Sequence, residues 1–129
     1  MVIAGLILAI VASLIHVFIF YMESIAWEGA RARATFGAAD ADELRVTKPL
    51  AYNQGFYNLF LALLAIIGAI FVFTGSLEIG AALVFAGTGS MLAAAFVLFL
   101  SSPEHRGAAV KQGSVPLLAV VVLALGLLL

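Results

Sequence analysis

Two polar side chains within the first apolar stretch of the sequence could carry chemistry. His16 and Glu23 are seven residues apart, and Trp27 follows one helical turn later. In an α-helix, residues seven apart lie about 20° apart around the axis, so the imidazole and the carboxylate would share one face. Such a pair can bind a polar group, or it can exchange protons as general acid and base.

A second polar group opens the next apolar stretch, in the segment YNQGFYN at residues 52–58. Asn53, Gln54, Tyr57 and Asn58 fall within an arc of about 140° around a helix. Hydrogen-bonding side chains are costly in a membrane-spanning helix unless they find partners. One side of this helix is therefore expected to face a polar interior. Gln112 adds a further amide near the start of the last apolar stretch.

The depths of these residues predict that they meet. At about 1.5 Å per residue, His16 and Asn58 both lie roughly 13 Å from the same end of their helices. Glu23 lies nearer to that end. We therefore predict a blind polar pocket at one end of a helical bundle, with a hydrogen bond between His16 and either Asn58 or Tyr57.

The composition excludes a water-soluble domain. Hydrophobic residues make up 65% of the 129 residues and charged residues 10%, against roughly 45–50% and 25% in soluble proteins. Four long stretches lack Asp, Glu, Lys and Arg, and each is close to the ~20 residues that a helix needs to cross a bilayer. We predict an all-α, polytopic membrane protein whose single transmembrane domain, residues 1–129, forms a four-helix antiparallel bundle. The helices are expected at about residues 2–25, 50–73, 79–101 and 114–129, with a loop at about 28–48.

The basic residues predict the orientation in the membrane. All six fall into two loops, which lie on one side of a four-helix bundle: Arg31, Arg33, Arg45 and Lys48 in the first, and Arg106 and Lys111 in the second. Loops rich in Lys and Arg stay in the cytoplasm. We therefore expect a multi-pass protein of the inner (plasma) membrane with both loops inside and both termini outside.

Local signals predict a helix start in the first loop and close packing of the spans. Asp40, with Glu43 three residues later, is typical of a helix N-cap. Small residues at intervals of three or four let helices approach closely in lipid. The second of the two stripes is expected to pack either within the chain or in a homo-oligomer. The stripes are Gly5, Ala9 and Ala12 in the first span, and Ala82, Ala86, Ser90 and Ala94 in the third.

Several classes of function have no support in the sequence. The chain has no cysteine and a net charge of −1, so thiolate chemistry is excluded and no nucleic-acid partner is expected. His16 and Glu23 are about 10 Å apart along the helix axis, and no second histidine lies deep in a span. No metal site is therefore expected, and the sequence identifies neither a catalytic residue nor a cofactor.

The motifs resemble those of the small bacterial membrane proteins classified as domain of unknown function 1304. The resemblance rests on the run from His16 to Glu23, on Trp27, on the run from Asn53 to Asn58, and on Gln112 with Pro116. It covers nearly the whole chain and includes the four-helix layout. It implies no activity, but it implies that seven residues belong to a shared pattern: His16, Glu23, Asn53, Gln54, Tyr57, Asn58 and Gln112.

Three hypotheses for the function follow. The leading one is an integral membrane protein whose polar pocket, in the cytoplasmic half of the bundle, binds a small or lipid-like molecule and could serve transport. The second is a membrane-embedded enzyme that acts on a lipid-like substrate, with His16 or Glu23 as acid or base. The third is a structural or partner-binding subunit whose polar groups only hold the helices together. The expected ligand-binding residues are His16, Glu23, Trp27, Asn53, Gln54, Tyr57, Asn58 and Gln112.

Overall fold

The computed structural model describes residues 1–37 and 40–129, and within them it confirms the predicted all-α class. The first helix, α1, ends in a π-helical turn at Tyr21–Ile25, and a 3-10 turn at Pro103–His105 precedes the last helix. The α-helices are α1 (Val2–Phe20), α2 (Ala30–Phe36), α3 (Ala41–Phe73), α4 (Leu77–Ser101) and α5 (Arg106–Leu128).

Among the described residues, four helical segments are long and apolar enough to cross a membrane. They are Val2–Ile25, Ala41–Phe73, Leu77–Ser101 and Pro103–Leu128. Helices α1 and α4 each pack against both α3 and α5, so α1 and α4 lie on a diagonal of the bundle. Consecutive spans run antiparallel, and α3 and α4 are joined by the tight turn Thr74–Ser76, in which Gly75 takes a φ of 96°.

The polar connections lie at one end of the bundle, which we call the basic end. It holds the π turn, α2, and the starts of α3 and α5, and therefore all six Lys and Arg residues. The opposite end, which holds both chain termini and the α3–α4 turn, we call the far end.

Two helices begin earlier than the sequence predicted. Helix α3 begins at Ala41 and not near residue 50, and α5 begins at Arg106 and not near residue 114. Much of the predicted loop at 28–48 is therefore helical, although residues 38 and 39 lie outside the described part. The charge-free stretches located the membrane-crossing parts, but a helix continues into the polar region for as long as its caps and propensities allow.

The predicted N-cap at Asp40 is confirmed. Its carboxylate accepts a hydrogen bond of 2.8 Å from the backbone N–H of Glu43. This bond satisfies one of the free N–H groups in the first turn of α3. The cap therefore explains why α3 starts at Ala41, eight residues before Pro49.

Glycines bring α3 and α4 into close contact. A Cβ atom at Gly68 would lie 2.6 Å from the backbone nitrogen of Val84, and one at Gly87 would lie 2.8 Å from the carbonyl oxygen of Leu61. In the same way, α1 meets α5 at Gly5, where a Cβ would stand 2.7 Å from the Cα of Leu123. Such backbone approach is how spanning helices pack when no hydrophobic effect acts between them.

The two predicted stripes of small residues differ in their outcome. Gly5, Ala9 and Ala12 are buried, as predicted. The α4 stripe is exposed at all four positions, because the face of α4 that packs within the chain carries other residues, such as Gly87 and Met91. The expectation that this stripe packs within the chain is therefore wrong, and packing between copies stays a prediction. The four exposed residues are Ala82, Ala86, Ser90 and Ala94.

Two apolar clusters fill the far half and the middle of the bundle, and a further cluster of Ile19, Met22 and Ala32 packs α2 against the end of α1 at the basic end. One cluster gathers residues from all four long helices and includes Leu6, Val84 and Leu123, each fully buried. A second cluster of Ala12, Ala62 and Met91 continues it toward the basic end. Beyond that level the interior between the four helices is lined by polar groups.

Replacing Gly87 by Leu is expected to lower the free energy of unfolding by about 1–3 kcal/mol, because the new side chain collides with the backbone of α3. Gly89→Leu is the matched control, since a Cβ at this glycine of the same helix would have no atom within 4 Å. Thermal unfolding in detergent measures both variants. Equal unfolding midpoints for the two would contradict the close α3–α4 packing.

Candidate functional site

The site is built on the π turn that ends α1. Gly55 of α3 packs directly against this turn, where a Cβ would meet the side chain of Ser24 and lie 3.1 Å from the carbonyl oxygen of Phe20. The hydroxyl of Ser24 donates a 2.8 Å hydrogen bond to the carbonyl oxygen of Tyr52. The two contacts fix the register of α1 against α3 and hold Glu23 between the helices.

The central interaction of the site joins Glu23 to Asn58. The Asn58 amide donates a 2.8 Å hydrogen bond to the Glu23 carboxylate, and the same nitrogen lies 3.2 Å from the carbonyl oxygen of Gln54. Only 8% of the Glu23 surface is exposed. A carboxylate at such a place needs donors from the protein, and the amide of α3 supplies one.

The predicted hydrogen bond between His16 and Asn58 or Tyr57 is wrong. Side chains of a helix lean toward its N-terminus. Because α1 and α3 are antiparallel, His16 leans toward the far end and Asn58 leans toward the basic end. The two residues lie at similar depth, but their side chains therefore lean away from each other. Glu23 lies nearer to the basic end than His16, and its side chain leans toward Asn58.

His16 is held by its own helix. Its Nδ1 lies 2.9 Å from the carbonyl oxygen of Ala12, and because a carbonyl can only accept, Nδ1 carries the hydrogen of this bond. The ring is 2% exposed. His16 also lines the cavity described next, so the imidazole is fixed in orientation at the wall of an internal space.

An inner cavity of about 380 Å³ lies between the four long helices in the basic half of the bundle. Polar side chains from α1, α3 and α5 surround it, together with His105 of the 3-10 turn, and small or apolar residues of α4 and α5 form the remaining wall. Its lining comprises His16, Glu23, Trp27, Gln54, Asn58, Ala94, Leu98, His105, Ala108 and Gln112.

An outer cavity of about 480 Å³ adjoins it at the basic end, beneath α2. Glu23, Trp27 and Gln54 line both cavities, so these three side chains form the partition between them. Arg33 of α2 and Glu43 of α3 bring charges to the outer cavity only. The inner cavity is thus the deeper and less charged of the two.

The structure brings together most of the predicted site residues. Asn53 lines the outer cavity instead, and Tyr57 is 55% exposed on the outside of α3. The sequence did not predict His105 as a site residue, although it lines the inner cavity from the 3-10 turn before α5. Six of the eight predicted residues line the inner cavity: His16, Glu23, Trp27, Gln54, Asn58 and Gln112.

The chemistry of the inner cavity is hydrogen bonding with acid–base groups. Its wall offers two imidazoles, one carboxylate and three amides, which can donate to or accept from a polar ligand. Within residues 1–37 and 40–129, no three His, Asp or Glu side chains come together as a group that could hold a metal ion.

The chain belongs to the family described as protein of unknown function (DUF1304), which it matches over residues 9–124. The match includes all eight predicted site residues and both cavities. Comparison with curated proteins finds no match, and neither does comparison with solved structures.

Asn58→Leu is expected to lower the free energy of unfolding by about 1–3 kcal/mol, because the Glu23 carboxylate loses its donor while it remains buried. The double variant Glu23→Leu with Asn58→Leu should be more stable than Asn58→Leu alone, since both polar partners are then gone. Thermal unfolding in detergent gives both values.

Asn53→Leu is the matched control, because Asn53 is an exposed asparagine of the same helix. Its effect should stay within about 0.5 kcal/mol. Glu23→Leu is also measured alone. If the effects of Glu23→Leu and Asn58→Leu add up in the double variant, the two residues do not depend on each other.

Proposed function

We propose that this integral membrane protein binds a small amphipathic molecule in the inner cavity. The observation that carries the proposal is the cavity itself, about 380 Å³ in volume, which is lined by two imidazoles, one carboxylate and three amides from three helices and a turn. Ligand pockets of soluble proteins have similar volumes, roughly 300–1,000 Å³, and likewise combine apolar walls with a few convergent polar groups.

The distribution of polar groups supports a ligand with a hydrogen-bonding head and an apolar body. Glu23, Asn58 and Gln112 can bind the head, and Nε2 of His16 completes the polar wall. Ala94, Leu98 and Ala108 can contact the apolar part. Transport of such a molecule would extend this proposal, with the outer cavity as the route toward water.

The seam between α3 and α4 supports entry from the bilayer. In the far half, Gly87 of α4 closes this seam against Leu61 and Ala65 of α3. Seven residues nearer to the basic end, the same faces carry Ala94 and Gln54, which are exposed and line the cavity. The seam therefore opens at the level of the cavity, where a lipid-dissolved molecule could pass between the helices.

Mass spectrometry of small molecules that co-purify with the protein tests the proposal. The wild-type protein should retain an amphipathic molecule, and Ala94→Phe, which fills the cavity, should reduce its amount at least tenfold. His16→Ala should act in the same direction by removing part of the polar wall.

Ala86→Phe is the matched control, because Ala86 is an outward-facing alanine of the same helix and lies outside the cavity lining. It should retain as much ligand as the wild type. Equal retention by the Ala94→Phe and Ala86→Phe variants would contradict ligand binding in the inner cavity. So would the absence of a retained molecule in the wild type.

We further propose that the basic end faces the cytoplasm and that both termini lie outside. All six Lys and Arg residues are at this end, and short basic loops are retained inside the cell. Reporter fusions at Leu129 test the orientation. A reporter that needs the periplasm should be active there, and activity of only a cytoplasmic reporter would overturn the orientation.

A further inference from the structure

A second recess lies on the outside of the bundle, between α4 and α5. It measures about 230 Å³ and begins at Phe99 and Val110 near the basic end. From there it runs roughly two helical turns, or about 10 Å, toward the middle of the membrane. Its residues differ entirely from those of the inner cavity: Leu92, Ala95, Phe96, Phe99, Ala109, Val110, Gly113, Ser114 and Leu117.

The recess exists because α4 and α5 touch at small residues. A Cβ at Gly113 would lie 2.7 Å from the Cβ of Ala95, so the two backbones approach closely at this point. Larger side chains, such as Phe96 and Leu117, stand on either side and are exposed. The result is an apolar groove that faces the hydrocarbon region.

Arg106 lies at the basic end of this groove in a fixed position. Its Nε donates a 3.0 Å hydrogen bond to the carbonyl oxygen of Phe99, and its guanidinium lies 5.1 Å from the centre of the Phe99 ring. These contacts leave the terminal N–H groups of the guanidinium for a further acceptor. The neighbouring carboxylate of Glu104 lies 3.4 Å from His105 Nδ1.

We propose that this groove binds one anionic phospholipid, with a lipid acyl chain along α4 and α5 and the lipid phosphate on Arg106. Arginine suits phosphate because its planar group can donate two parallel hydrogen bonds. The charge stands where the polar region of the bilayer meets the hydrocarbon, so head group and chain can be bound together. The site is separate from the inner cavity and does not depend on the function proposed for it.

Native mass spectrometry of the full chain in detergent tests this site. The protein is incubated with equal amounts of dioleoyl phosphatidylglycerol and dioleoyl phosphatidylcholine. The wild type should bind the anionic lipid preferentially, and Arg106→Gln should lower that binding roughly tenfold, the loss expected for one charge-assisted contact. Ser114→Phe, which fills the groove and leaves Arg106 in place, should lower the binding of both lipids.

Arg31→Gln is the matched control, because Arg31 also lies over an aromatic ring, 5.9 Å from the centre of Phe18, at the same end of the bundle. It should leave the lipid preference unchanged. An equal loss in the Arg31 and Arg106 variants would overturn the proposal in favour of general attraction by the basic end. Displacement of the lipid by millimolar inorganic phosphate, with no effect of Ser114→Phe, would overturn it in favour of a simple anion site.

Discussion

The buried carboxylate of Glu23 is the constraint on which the basic half of the structure depends. A charged or polar group inside a span must be given hydrogen-bond donors by the protein, because lipid offers none. The Asn58 amide meets this need at 2.8 Å, and it can do so only if α1 and α3 keep one register. Gly55 and the Ser24–Tyr52 hydrogen bond hold that register. The hydrogen bond in the polar interior therefore depends on the packing of α1 against α3.

The two halves of the bundle differ in what fills the space between the helices. In the far half, glycines and alanines let backbones touch, and apolar side chains such as Leu6 and Leu123 are buried at the centre. In the basic half, helices also touch at Gly55 and Gly113, but polar side chains line the space between the four helices, and α4 contributes Ala94 and Leu98 to that lining. A cavity is what remains where small residues on one helix face polar residues on the others.

Much of the fold could be read from the sequence, because lipid makes strong demands on composition. The charge-free stretches located four spans, and Asp40 with Glu43 located a helix start. The ends of helices in the polar region could not be predicted from the charge-free stretches. The early start of α5 was therefore not predicted, and neither was the place of His105 in the cavity lining. Depth arithmetic gathered most of the cavity residues but paired them wrongly, since it used positions along the axis and ignored the direction in which side chains lean. The sequence also did not predict which face of α4 packs inward, because alanine and glycine occur on both faces of this helix.

Helix α3 has 33 residues and is about 50 Å long, whereas the hydrocarbon core of a bilayer measures about 30 Å. One helix therefore passes through two solvents. Its first turns carry exposed ion pairs, Arg45 with Asp42 at 3.5 Å and Lys48 with Glu28 at 3.3 Å. Dissolved salt weakens such solvent-exposed pairs, but it has little effect on a hydrogen bond buried between spans. Ionic strength thus acts on the ion pairs of the protruding turns and not on the hydrogen bond in the membrane-embedded part of the same helix.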